Sequence, residues 1–170
     1  MTSKIFDTGS FQVFKIEAKA GEMFPIKLPK ADKTIHLNAK GGCELHIEGE
    51  YFCTGYPGDN CVDVADNHGK YESYDFIQRE FGSCDFKALG DTVNYCISSN
   101  YKNNAHTVIG EVNKYSKGET VTFDTDYILI ADGSVSIGNN KYNTDTVLSK
   151  PKTVTITQDC VIASFNVRKK

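Results

Sequence analysis

At 170 residues the chain is long enough for one large all-β domain or two small ones sharing an interface. Hydrophobic residues make up 39% and charged residues 24%, which supports a packed core and argues against disorder. The net charge of −3 offers nucleic acid no concentrated basic face, and no apolar run approaches the roughly 20 residues that span a bilayer.

The chain opens with Met1-Thr2-Ser3-Lys4-Ile5-Phe6-Asp7, which has no apolar signal core. A cytoplasmic setting is therefore expected, or a virion if the source is viral. Phe11-Gln12-Val13-Phe14-Lys15-Ile16-Glu17-Ala18 alternates with the period of two that marks a strand. Cys43-Glu44-Leu45-His46-Ile47-Glu48 repeats the pattern, with Glu44, His46 and Glu48 on the solvent face. Turn signals follow at Gly41-Gly42, Pro57-Gly58-Asp59, Asp132-Gly133 and Gly138-Asn139-Asn140. Tyr74–Phe81 suits two helical turns or a strand edge, and Thr153–Thr157 alternates again. Many short strands separated by turns at this spacing predict an all-β sandwich or barrel.

An internal repeat runs through this pattern. Phe11–Ile16 leads into Gly21-Glu22 as His106–Val112 leads into Gly118-Glu119. Gly42 matches Gly133, Asp59–Val62 matches Asp145–Leu148, and Ser83–Phe86 matches Asp159–Ile162. The separations shrink along the chain, so the first half carries the longer loops. Two halves are expected, residues 1–92 with a long insertion and residues 93–170 with shorter loops.

The second half, from Lys117-Gly118-Glu119 through Ile128–Gly133 to Pro151 and Val154-Thr155-Ile156, resembles the core of cupin domains. Gly49-Glu50-Tyr51-Phe52 and Pro57-Gly58-Asp59 in the first half are similar to the start of the second cupin motif. The resemblance implies two cupin-like jelly-roll or β-barrel halves packed in tandem. Metal-binding cupins place two histidines and a glutamate at fixed distances before the turn glycine. Counted from Gly42 those slots hold Leu28, Lys30 and Ile35, and counted from Gly133 they hold Glu119, Val121 and Asp126. No histidine occupies them, so neither a metal nor another cofactor is expected. His36, one residue from the glutamate slot, is expected to point away from the barrel interior, because one residue reverses the face of a strand.

The insertion gathers Asp59, Cys61, Asp63, Asp66, His68, Glu72 and Asp75, yet its spacing breaks the calcium-loop pattern. It reads as an acidic surface loop or a ligand contact. The six cysteines lack a C-x-x-C pair and read as small hydrophobes, although Cys53 and Cys61 are placed to bridge a hairpin. No nucleophile elbow or phosphate loop is present, so no catalytic residue is assigned. The ligand-binding candidates are His36, Tyr56, Asp63, Asp66, His68 and Tyr71. The leading expectation is a non-catalytic binding or structural protein that self-associates or docks a protein partner, with a phage role compatible. A small molecule or a glycan bound through exposed tyrosines is the alternative ligand. A metal-independent isomerase or lyase using His and Tyr as acid and base is the enzymatic alternative.

Overall fold

The computed structural model describes residues 1–25, 34–47, 50–57, 84–99 and 106–169, and these form strands and turns without a helix. Among the described residues, then, no helix is long and apolar enough to cross a membrane. The first eight strands are β1 (Thr2–Asp7), β2 (Phe11–Ala18), β3 (Met23–Pro25), β4 (Thr34–Lys40), β5 (Cys43–Ile47), β6 (Glu50–Gly55), β7 (Cys84–Ala88) and β8 (Thr92–Ser99). Six more follow: β9 (His106–Tyr115), β10 (Thr120–Thr122), β11 (Tyr127–Ile137), β12 (Asn140–Asn143), β13 (Thr146–Ser149) and β14 (Thr153–Lys169).

They make three antiparallel sheets. Sheet A has the order β1-β2-β8-β4 and sheet B the order β3-β7-β5-β6. Sheet C runs β10-β14-β11-β12, with β13 on β11 and β9 on β14. Because β8 bonds to β2 and β4, the expected boundary after residue 92 would sever a sheet. The change from sheets A and B to sheet C instead falls between Ser99 and His106.

The alternation of the strands sorts their side chains between two cores. Phe11, Val13, Ile35, Leu37, Tyr95 and Ile97 project from one face of sheet A and bury against Leu129, Ala131, Ala163 and Phe165 of sheet C. Burying a large apolar side chain contributes about 1.5–3 kcal/mol, so this layer joins sheet A firmly to sheet C. The alternate residues of sheet C, among them Ile128, Ile130, Val135, Val154, Ile156 and Ile162, form a second cluster. Sheet C folds over this cluster because β11 shifts register against β14 at Ile130/Asp132, Asp132/Ser134 and Ser134/Val135. Such bulges bend a strand and sharpen its twist.

A polar pin crosses the first core. The Tyr95 hydroxyl of sheet A donates to the Asp145 carboxylate of the β12–β13 turn, and Lys15 Nζ lies 2.8 Å from the same carboxylate. Burial and the adjacent carboxylate both push the Tyr95 phenol well above its ordinary pKa, so it remains a donor.

The same backbone bonds recur in the two parts of the chain. Gly21 N–H donates to Ala88 O at 2.8 Å, and Gly118 N–H to Ile156 O at 2.8 Å. Ala88 N–H donates to Glu22 O at 2.9 Å, and Ile156 N–H to Glu119 O at 2.8 Å. Ala20 N–H meets Asp91 Oδ1 at 3.1 Å as Lys117 N–H meets Asp159 Oδ1 at 2.8 Å. Each part also has a glycine at positive φ just after a bulge, Gly41 at +65° and Gly133 at +97°. A Cβ on Gly41 would lie 2.2 Å from Asp91 O, and one on Gly133 would lie 2.2 Å from Asp159 O. These contacts set Gly41, not Gly42, opposite Gly133, and Asp91-Thr92, not Ser83-Cys84, opposite Asp159-Cys160.

Candidate functional site

Strands β4 and β8 of sheet A are buried on both faces, and the second face carries polar side chains where the first is mainly apolar. In an antiparallel pair, residues that face one another across the ladder share a side of the sheet. Cys96 stands between Phe14 and His36, Asn94 between Ile16 and Asn38, and Ser98 faces Gln12. Gln12, His36, Asn38, Thr92, Asn94 and Ser98 are all buried.

The side chains are tied into a network at one end. Asn38 Nδ2 donates to Asn94 Oδ1 at 3.0 Å and to Thr92 Oγ1 at 2.9 Å. Asn94 Nδ2 donates to Thr92 Oγ1 at 3.0 Å, and Thr92 donates in turn to Lys40 O at 2.9 Å. Sheet B closes over them. Cys43 Sγ donates to Asn94 Oδ1 at 3.4 Å, and the Phe86 ring of β7 stacks on His36 with centroids 4.7 Å apart and planes at 26°.

His36 is 4% exposed, so the expectation that it points away from the interior is corrected. The reason is the turn: counting from Gly41, which takes the positive φ, moves each slot by one residue and turns His36 inward. Burial lowers its pKa to about 4, against a hydrogen bond with Asn94 that raises it. The ring is therefore a neutral imidazole at neutral pH, with one donor and one acceptor nitrogen.

Three polar atoms on or beside this face, Gln12 Oε1, Asn38 Oδ1 and Ser98 Oγ, are buried and have no hydrogen-bond partner among the described residues. The contrast with sheet C is direct. The recurring contacts place Ile128 and Ile130 of β11 where β4 has His36 and Asn38, and Ile162 of β14 where β8 has Asn94. One set packs as a dry core and the other presents donors and acceptors.

Tyr56 follows β6 and is 57% exposed, remote in character from this buried face. Asp63, Asp66, His68 and Tyr71 lie outside the described residues, as do the Tyr74–Phe81 segment and Cys61. His46 shares a face of β5 with Glu44, its Nε2 3.0 Å from Glu44 Oε2, and is half-buried there rather than solvated. Among the described residues no three His, Cys, Asp or Glu side chains converge as metal ligands. Burial pushes the Cys160 thiol up to about 11, which suits a packing role rather than a nucleophile.

No family model matches the sequence, and no curated protein does. Solved structures do resemble it. HutD from Pseudomonas fluorescens SBW25 superimposes with a TM-score of 0.55 at 12% identity, over 94% of this chain and 80% of that one. A conserved protein of unknown function from Pseudomonas aeruginosa PAO1 gives 0.55 at 10% identity, over 99% and 91%. The bacterial pirin YhhW from Escherichia coli, solved in complex with nickel(II), gives 0.55 at 8% identity, over 99% and 92%. The all-β fold is shared with these structures. At these identities the likeness speaks to fold alone.

Proposed function

We propose that the chain is a non-catalytic cupin-like binding protein of two tandem halves. In this reading residues 1–99 hold a small hydrogen-bonding molecule against β4 and β8, while residues 106–169 serve as a packed support. The recurring backbone bonds support the two halves. The binding role is carried by one observation, the substitution of His36, Asn38 and Asn94 for the isoleucines of the matched positions, with buried acceptors left over. A buried polar atom without a partner costs about 1–3 kcal/mol, and native interiors leave few of them. Such a cost is retained where function uses it.

Thermal melting of the full chain against a panel of monosaccharides and polyols tests this. A binder raises the melting temperature with a saturable concentration dependence. The Asn38→Ile/Asn94→Ile double variant, which copies Ile130 and Ile162, is expected to melt at least as high as the wild type and to lose that response. Absence of a saturable shift across the panel contradicts the reading, and stoichiometric metal in the purified protein overturns its metal-free form.

The inward placement of His36 favours a second reading, acid–base chemistry on the bound molecule. Turnover of a binder that is abolished in His36→Gln while binding persists would carry it over the first.

A further inference from the structure

We propose that the cleft between β13 and the β1–β2 turn is a second site, which binds the oxyanion group of a small ligand through Lys150. The cleft encloses about 300 Å³ and is lined by Ser10, His106, Asp126, Tyr127, Ser149 and Lys150 among others. That volume lies at the lower end of small-molecule sites, which concentrate where structural layers meet. Ser10 belongs to the turn between strands of sheet A, and the other five residues lie in or beside strands of sheet C, so assembly of the two sheets creates the cleft.

The segment after β13 is built to present Lys150. Its φ is +48°, a conformation that few side-chain-bearing residues adopt. The backbone is pinned there: Lys150 N–H donates to Asp126 O at 2.7 Å, and Lys152 O accepts from Phe123 N–H at 2.7 Å. Pro151 between them is buried, and Lys152 also has positive φ, at +58°. Backbone outliers held by their surroundings concentrate at sites that use the geometry.

Lys150 brings a positive charge to the cleft lining. Asp126 is committed to Arg168, whereas Lys150 has no ion-pair partner among the described residues. Ser10 and Ser149 supply hydroxyl donors. Tyr127 gives a fixed wall, stacked on Phe165 at 5.5 Å and tilted against Phe11 at 4.7 Å. A lysine recognises carboxylate or phosphate as a point charge, and hydroxyls complete the oxyanion's bonds.

The test is an amide NMR titration of the full chain with sodium phosphate and, separately, sodium acetate at constant ionic strength. At least one anion is expected to shift Ser149, Lys150 and His106 with saturation, and which one does so names the oxyanion class. Lys150→Gly, which suits the positive φ, should bind at least tenfold more weakly without a lower melting temperature, and Lys150→Gln should show the same loss of affinity. Lys114→Ala, outside the cleft lining, should leave binding unchanged. Absence of saturation with both anions overturns the proposal, as does wild-type affinity in both Lys150 variants.

Discussion

Replacing Gly133 by valine is expected to lower the melting temperature by roughly 10 °C or more. Two penalties combine there. The residue sits at φ +97°, where a β-branched side chain is strained, and its added Cβ would lie 2.2 Å from Asp159 O and 2.8 Å from Cys160 Sγ. The carbonyl belongs to β14, whose adjacent residues Gln158, Cys160 and Val161 are held in ladders with β11 and β9. Strain of about 1–3 kcal/mol and overpacking of similar size are large against a stability of roughly 5–15 kcal/mol. Gly138→Asn is the control. Its φ is +59°, which asparagine tolerates, and an added Cβ meets nothing within 4 Å. Thermal unfolding followed by circular dichroism should show a change of a few degrees at most for Gly138→Asn. Equal melting temperatures for the two variants would mean that the bend in β11 does not depend on this close approach.

A second large effect is expected with pH, and it isolates His36. In the folded chain burial holds its pKa at about 4, whereas an exposed histidine titrates near 6.5. The unfolded chain therefore binds the extra proton first. Stability contributed by this residue is complete above pH 7, falls as pH drops through 6.5, and levels off below 4. The separation corresponds to about 3 kcal/mol. Carboxylates also titrate in acid, so the informative quantity is the difference between wild type and His36→Ile, a substitution that copies Ile128 at the matched position. Denaturant unfolding between pH 7 and pH 4 should show that difference growing steadily in the variant's favour. Parallel pH profiles for the two proteins would place His36 in contact with water.

The strands themselves were plain in the sequence, because alternation at Phe11–Ala18 and Cys43–Ile47 directly reports a strand with two unlike faces. The Gly21/Gly118 match was visible too, since each glycine with its following glutamate makes the same pair of backbone bonds. What alternation cannot report is a second layer. Thr92, Asn94, Cys96 and Ser98 alternate with Val93, Tyr95 and Ile97 as a polar face would, yet all four are buried. The face of His36 turned on which of two adjacent glycines takes positive φ, and at Gly41 the space for a side chain is closed by Asp91, fifty residues away in sequence. With Gly41 set against Gly133 and Asp91 against Asp159, His36, Asn38 and Asn94 stand as polar residues where Ile128, Ile130 and Ile162 are buried. Nor does alternation report strand order: β8 follows a turn but pairs backward, with β2 and β4.

Mapping the contact surface of a binder found by thermal shift is the most direct test of the polar interior. In an isotope-labelled NMR titration, the largest shifts are expected at the imidazole of His36 and the side-chain amides of Asn38, Asn94 and Gln12. The methyl groups of Ile128, Ile130 and Ile156 should stay in place. Shifts confined to exposed residues such as Tyr51 and Tyr56, or to the second core, would contradict binding between sheets A and B.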